Sequence, residues 1–213
     1  MQTVITNSKM KIGILALQGD AREHKRALAK LGAEPIEVKL PQDLDDVDAL
    51  IIPGGESTTI GMLMGKYKLD VKIKQKHGEG MPIYGTCAGA ILLAKEIIGS
   101  KQPKLGLADI SIKRNDYGRQ IDSFEADLSI KDIGPFKGVF IRAPIIKGFY
   151  NGTEILSEYK NNPVMMRQDN ILITTFHPEL TNDTRVHEYF LNMAAEYKPI
   201  REARKELKES NES

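Results

Sequence analysis

Short, nearly continuous apolar runs alternate with helix-like segments over the first half of the chain. The runs cover residues 11–18, 35–40, 49–52 and 82–85. An apolar run of about four to eight residues is typical of a strand that is buried on both faces. Because strands that alternate with helices pair in parallel, this pattern predicts an α/β fold of three layers, a mostly parallel sheet with helices on both faces.

The segments between and after these runs predict five helices. Ala21, His24, Leu28 and Leu31 fall on one helical face, with Asp20 as the expected cap. Further helices are predicted from Ser57, over 70–76, over 87–98 and over 182–197. From about Leu105 the chain instead predicts strands that complete the sheet and add an antiparallel layer, at 110–113, 123–128, 139–142, 154–159, 164–168 and 171–176.

The length of 213 residues and the hydrophobic content of 41% suit one compact domain with a substantial core. We expect this domain to span residues 10–197. Residues 1–9 precede the first strand-like run and form an N-terminal extension. Residues 198–213 form a tail of mixed charge, which we interpret as a solvated terminal helix or a frayed end.

The charge balance and the cysteine count exclude several classes of protein. Lys and Arg total 30 against 29 for Asp and Glu, so the basic surface of a nucleic-acid or membrane-surface binder is missing. With one cysteine, no intramolecular disulfide can form. The start of the chain lacks the layout of a secretory signal, and no apolar run reaches the roughly 18 residues of a membrane span. We therefore expect a cytoplasmic protein.

The strongest local motif is Gly85-Thr86-Cys87-Ala88-Gly89, which has the pattern of a nucleophile elbow with cysteine in place of serine. A sharp turn from strand to helix crowds its neighbours, so glycine two residues to either side meets a steric need. Cys87 would lie at a helix N-terminus, where the partial positive charge favours the thiolate. The alternative is that a lone cysteine is a small buried apolar residue.

A second motif, His177-Pro178-Glu179, closes the last predicted strand. In extended chain, residues two apart project to the same side, so this tripeptide can supply a base and the carboxylate that orients it. Cys87, His177 and Glu179 together match the triad roles of nucleophile, general base and orienting acid. A purely structural histidine is the alternative for His177.

A third motif, residues 53–57, follows a strand and opens a helix. Its glycines allow backbone N–H groups to approach a ligand, as an oxyanion hole requires, although such a pair is also common in tight turns. We assign structural positions to the other histidines, with His24 on a helix face, His77 in a turn and His187 on the last helix. No metal motif and no nucleotide loop is present.

Five motifs in this order resemble the glutaminase subunit of pyridoxal 5′-phosphate synthase. They are GGEST at 54–58, GTCAG at 85–89, Arg114-Asn115 with Gly118-Arg119-Gln120, FIRAP at 140–144 and FHPELT at 176–181. The likeness runs from about residue 10 to 197. Tyr117 departs from the phenylalanine frequent in the family. The nucleophile elbow and the His-Pro-Glu motif alone would indicate only a class I glutamine amidotransferase. The Arg114-Asn115 segment with Gly118-Arg119-Gln120 and the FIRAP motif narrow the resemblance to the members of this class that serve vitamin B6 synthesis.

This resemblance implies a class I amidotransferase-like fold and hydrolysis of L-glutamine to L-glutamate and ammonia by the triad, without a cofactor. The residues it implies for glutamine contact are Gly55, Glu56, Ser57, Arg114, Ile141 and Arg142, with Gly55 and Ala88 at the oxyanion hole. The implied partner is the synthase subunit, in a large complex that uses the ammonia. The segment Gln18-Gly19 resembles the family element that rearranges when this partner docks.

Two other functions remain open at this point. The same fold and elbow also occur in cysteine hydrolases of the peptidase or γ-glutamyl hydrolase kind, which need no ammonia acceptor. A catalytically inactive regulatory module that only holds glutamine is the second alternative.

Overall fold

The computed structural model describes residues 9–114, 123–150 and 152–211, with side chains described as far as residue 199. The predicted motif residues Asn115, Tyr117, Gly118, Arg119 and Gln120 lie outside these ranges, as do most of the N-terminal extension and the end of the tail. None of the helices in the described ranges combines the length and the apolar character that a bilayer crossing requires.

A seven-stranded sheet forms the centre of the molecule, in the order β10-β11-β12-β4-β3-β1-β2. Its strands are β1 (Lys11–Leu15), β2 (Glu34–Val38), β3 (Ala49–Ile52), β4 (Ile83–Thr86), β10 (Thr153–Tyr159), β11 (Asn162–Gln168) and β12 (Ile171–Thr174). β2, β1, β3, β4 and β12 run parallel, and β11 and β10 add an antiparallel edge. The mostly parallel sheet predicted from the apolar runs is thus confirmed.

Helices cover both faces of this sheet. They are α1 (Ala21–Lys30), α2 (Ser57–Lys66), α3 (Leu69–Gly78), α4 (Ala88–Leu93) and α5 (Arg185–Asn211). Side chains of α2, α3 and α4 pack into one apolar core, whereas those of α1 and α5 pack into a second core on the opposite face. β3 divides its residues between the two, with Leu50 and Ile52 facing the first and Ala49 and Ile51 the second. This gives the three expected layers.

The remaining strands form two small sheets beside the main one. β5 (Ala94–Ile97), β6 (Ala108–Lys113) and β9 (Ile145–Phe149) make a three-stranded sheet, and β7 (Ser123–Ile130) pairs with β8 (Gly134–Ile141). Strand β9 was not among the sequence-based predictions. The antiparallel hairpin β7–β8 leads the chain to Ile141, at the edge of the cavity described below.

Three helix boundaries predicted from the sequence are wrong. The helix predicted over 87–98 ends at Leu93, and β5 follows at once. A register shift between Ala94 and Glu96 leaves two successive residues of this strand exposed, between the buried Ala94 and Ile97. The buried residues are therefore three apart, which is also the spacing of one face of a helix. The last helix begins at Arg185 and continues through Pro199 to Asn211. His77 belongs to the last turn of α3, and not to a separate turn.

Candidate active site

Cys87 lies between β4 and α4 in the strained backbone of a nucleophile elbow. Its φ is +46°, a left-handed value that a side chain other than glycine rarely adopts. Its N–H donates to the Thr174 carbonyl at 2.9 Å, which ties the turn to β12. A Cβ at Gly89 would lie 2.0 Å from the Ile52 carbonyl oxygen, and one at Gly85 would lie 2.7 Å from the Gly89 carbonyl carbon. The two glycines are therefore required sterically, as the motif predicted.

His177 and Glu179 are joined by a short hydrogen bond, from Nδ1 to Oε1 at 2.7 Å. Their local structure differs from the prediction, because β12 ends at Thr174 and residues Pro178–Leu180 form a 3-10 turn. The turn, and not extended chain, brings the carboxylate back beneath the imidazole. The backbone N–H of His177 donates to the Val139 carbonyl at 2.8 Å, so β8 also holds the residue in place.

The electrostatics of the site follow from burial and from these contacts. Burial acts to lower the pKa of His177, but hydrogen bonds to Cys87 and Glu179 outweigh it and raise this pKa to about 11. Burial raises the pKa of Glu179, and the hydrogen bond from His177 opposes this. The raised pKa keeps the His177 imidazole protonated near pH 7.

Cys87 and His177 open into one cavity of about 540 Å³. All six residues that the resemblance implied for glutamine contact also line this cavity, namely Gly55, Glu56, Ser57, Arg114, Ile141 and Arg142. Among the described residues, Asp20, Ile91, Ser123 and Leu180 also line it. Sequence reasoning had not assigned these four to the cavity: Leu180 lies within the FHPELT motif but was given no role, and the other three lie outside the five motifs. Ala88 is buried beside Cys87 at the first position of α4, where its N–H has no partner within the helix.

Opposite charges meet at one end of the cavity. The Glu56 carboxylate caps α2 by accepting from the N–H groups of Thr58 and Thr59, at 3.0 and 2.7 Å. The Thr59 hydroxyl and these N–H groups lower the pKa of Glu56 to about 2. Arg114 donates to Gln102 at 2.8 Å and lies 4.0 Å from Glu56. A carboxylate and a guanidinium thus both line the cavity.

The loop after β1 packs against the glycines after β3. The Asp20 N–H donates to the Gly54 carbonyl at 3.3 Å, and the Gln18 side chain accepts from the Glu56 N–H at 2.8 Å. The expected cap at Asp20 is wrong, because its side chain makes no capping hydrogen bond. Instead, its Oδ2 lies 3.5 Å from Nδ1 of His177.

Asp20, His177 and Glu179 each offer one possible metal ligand, and these atoms lie within 4.8 Å of one another. The sequence had suggested no metal motif, because Asp20 is far along the chain from His177 and Glu179. The 2.7 Å separation of Nδ1 and Oε1 is that of a charge-assisted hydrogen bond, which already uses both atoms. We therefore interpret the group as an imidazole held between carboxylates.

Known proteins resemble this chain over most of its length. A model of the SNO glutamine amidotransferase family matches residues 14–196. Pyridoxal 5′-phosphate synthase subunit PdxT of Fervidobacterium nodosum is 53% identical over 190 residues, which are 89% of this chain and 100% of that protein. The subunit PdxT of Thermus thermophilus is 51% identical over 185 residues, with 86% and 97% covered.

The solved structures agree with the family match. A crystal structure described as a glutamine amidotransferase has a TM-score of 0.84 at 49% identity, with 86% of this chain and 98% of that chain covered. PurLQS from Thermotoga maritima, at 21% identity and a TM-score of 0.64, shares the fold, with 87% of this chain and 99% of that chain covered. The chain belongs to the SNO glutamine amidotransferase family.

Proposed function

We propose that this chain is a glutaminase that hydrolyses L-glutamine to L-glutamate and ammonia and passes the ammonia to a synthase subunit that makes pyridoxal 5′-phosphate. The observation that carries the proposal is the shared cavity of Cys87 and His177, with Glu179 at 2.7 Å from the imidazole. Cys87 is the nucleophile, His177 the acid and base, and Glu179 the residue that orients it.

The reaction follows from these roles. The Cys87 thiolate attacks the side-chain amide of glutamine, and the resulting oxyanion is held by the N–H groups of Gly55 and Ala88. His177 protonates the departing ammonia, which leaves a thioester on the sulfur. The same imidazole then activates a water molecule that releases glutamate. Thiol, imidazole and backbone supply every group that this sequence of steps needs, so the proposal includes no cofactor.

Recognition of glutamine uses the charges of the cavity wall. The α-carboxylate and α-ammonium groups of an amino acid require opposite charges, and Arg114 and Arg142 face the cavity together with Glu56. Gly55, Ser57 and Ile141 line the same wall and complete the proposed contacts. The functional domain in this proposal is residues 10–197, which includes the whole family match.

The partner in the proposal is the synthase subunit, in a hetero-oligomer in the cytoplasm. The relatives from Fervidobacterium nodosum and Thermus thermophilus are named as subunits of pyridoxal 5′-phosphate synthase. In the proposal this synthase subunit consumes the ammonia that is released in the cavity.

The deciding experiment is Cys87→Ala, assayed with the synthase subunit and its phosphorylated sugar substrates. We expect synthesis from glutamine to disappear and synthesis from an added ammonium salt to continue. Circular dichroism checks that the variant is folded. Glutamine-dependent synthesis that survives in Cys87→Ala would overturn the proposal.

Two assays on the unaltered chain separate the alternatives. Cleavage of γ-glutamyl peptides without ammonia release from free glutamine would indicate a hydrolase of that kind. Failure of an electrophilic glutamine analogue to label Cys87 would indicate an inactive binding module. We expect ammonia release from glutamine and labelling of Cys87.

A further inference from the structure

Two buried histidines lie directly behind the His177–Glu179 pair. His24 comes from α1 and His187 from α5, and both are completely buried. They are 163 residues apart, yet Nδ1 of His24 lies 3.0 Å from Nε2 of His187. The other ring nitrogen of His24 faces the site, with Nε2 at 3.3 Å from Oγ1 of Thr86 and 3.6 Å from Oε1 of Glu179.

His24 therefore touches both halves of the site. Thr86 directly precedes Cys87, and Glu179 holds the imidazole of His177. The Glu179 carboxylate is inaccessible to solvent, and its Oε2 has no hydrogen-bond partner among the described residues. A buried carboxylate is costly unless donors or positive charge face it. The groups that can stabilise the Glu179 carboxylate therefore approach Oε1, where Nδ1 of His177 and Nε2 of His24 both lie nearby.

The protonation of the two rings follows from their surroundings. Burial lowers the pKa of His24, and the charges that His187 and His177 carry when protonated would lower it further. Burial also lowers the pKa of His187, so both His24 and His187 are neutral near pH 7. A neutral imidazole donates from one nitrogen and accepts at the other. A proton on Nε2 of His24 faces a carboxylate favourably, whereas a lone pair there would repel it.

This choice fixes the other ring as well. With its proton on Nε2, His24 accepts at Nδ1, so His187 must donate from its own Nε2. The remaining Nδ1 of His187 is buried without a hydrogen-bond partner among the described residues and then carries no proton. The opposite arrangement would bury an unpaired N–H there, which costs free energy. The N–H groups of both rings therefore point in one direction, from α5 through α1 towards the acid.

We propose that His24 is a positioning residue for the glutaminase reaction, which holds Glu179 and the Thr86–Cys87 turn in register while His187 fixes its ring. The inference rests on the function proposed above. His24 does not contact the cavity, so its removal affects the placement of the triad and leaves the groups that bind glutamine in place.

The test compares His24→Leu with His24→Gln in the complex with the synthase subunit. Leucine removes the donor, and the glutamine amide can present an N–H near the position of Nε2. For His24→Leu we expect kcat to fall by about tenfold to a hundredfold, the effect of a small misplacement of catalytic groups. KM should change by less than about twofold, because binding contacts are untouched. His24→Gln should recover most of the lost kcat.

The outcomes separate this inference from the proposed function. No ammonia from the unaltered complex would refute the glutaminase itself. With that activity present, an unchanged kcat in His24→Leu, or a His24→Gln variant as slow as His24→Leu, would overturn the positioning role. If His24→Leu does not fold, His187→Leu takes its place. A lower kcat at constant KM is then expected, and an unchanged kcat overturns the proposal.

Discussion

Nδ1 of His177 lies 2.7 Å from Oε1 of Glu179, across a 3-10 turn that begins one residue after the histidine. The contact leaves Nε2 as the ring nitrogen available to the sulfur of Cys87. A carboxylate in this position fixes the tautomer and stabilises the imidazolium. The pair is almost completely buried, so solvent screens the interaction little.

Glu179→Gln is expected to lower kcat for glutamine hydrolysis by about 10²–10⁴, because the amide keeps the shape but loses the charge that orients the imidazole. Steady-state assays in the presence of the synthase subunit measure this effect. The matched control is Glu125→Gln, on the exposed side of β7, which should keep full activity. A Glu179→Gln variant within about threefold of the unaltered kcat would contradict the orienting role.

Gly89→Ala should destabilise the fold by about 2 kcal/mol or more, since its Cβ would overlap the backbone of β3, which cannot move aside cheaply. The free energy of unfolding in urea measures the loss. Gly65→Ala in α2 is the control, because a Cβ there meets nothing within 4 Å. Alanine at this helical position should stabilise the protein by up to about 1 kcal/mol. Equal stability of the two variants would argue against the close packing of the elbow.

The buried His187 makes stability depend on pH. Burial lowers its pKa from 6.5 to about 4 in the folded chain, so between these values the unfolded chain binds more protons. The contribution of the neutral His187 ring to the free energy of unfolding is fully present above pH 6.5 and is lost as the pH falls towards 4. The loss is up to about 1.4 kcal/mol per pH unit. His24 acts in the same direction.

The measurement for this prediction is urea unfolding at several pH values, for the unaltered chain and for His187→Leu. In His187→Leu, the free energy of unfolding should fall less steeply between pH 6.5 and 4, by up to about 1.4 kcal/mol per pH unit. Parallel curves for the two proteins would show that His187 is not held neutral by burial.

The purified chain alone should hydrolyse glutamine slowly. The loop after β1 holds both neighbours of Gly55, because the Gly54 carbonyl accepts from the Asp20 N–H and the Glu56 N–H donates to the Gln18 side chain. The oxyanion N–H of Gly55 therefore depends on that loop. One oxyanion donor is worth about 10²–10³ in rate, and we expect a gain of this order on addition of the synthase subunit. Full turnover without the partner would contradict this prediction.

The sequence predicted those parts of the molecule that depend on local sterics and periodicity. The apolar runs predicted the parallel strands, and the glycines at 85 and 89 predicted the elbow at Cys87. Each of these signals lies within a few residues of the feature that it predicts. The helix predicted over 87–98 failed because a bulged strand pairing replaced a helix of similar spacing.

Contacts between distant segments could not be read from the chain. His24 and His187 were each assigned a structural position on a helix, and only the packing of α1 and α5 on the same face of the sheet brings them together. Asp20 was predicted as a helix cap because it directly precedes α1. Its contact with His177 depends on the tertiary fold and has no signal in the local sequence. The roles of Cys87, His177 and Glu179 stay predictions until the variants are assayed.

The position of the single sulfhydryl also makes the molecule convenient for spectroscopy. Cys87 is the only cysteine of the chain, and its side chain borders the cavity while the rest of it is enclosed. A small fluorine-bearing or spin label attached there would report from inside the pocket with no background from other sites. Movements of the β1 loop and of the guanidinium groups could then be followed in a protein otherwise unaltered in sequence.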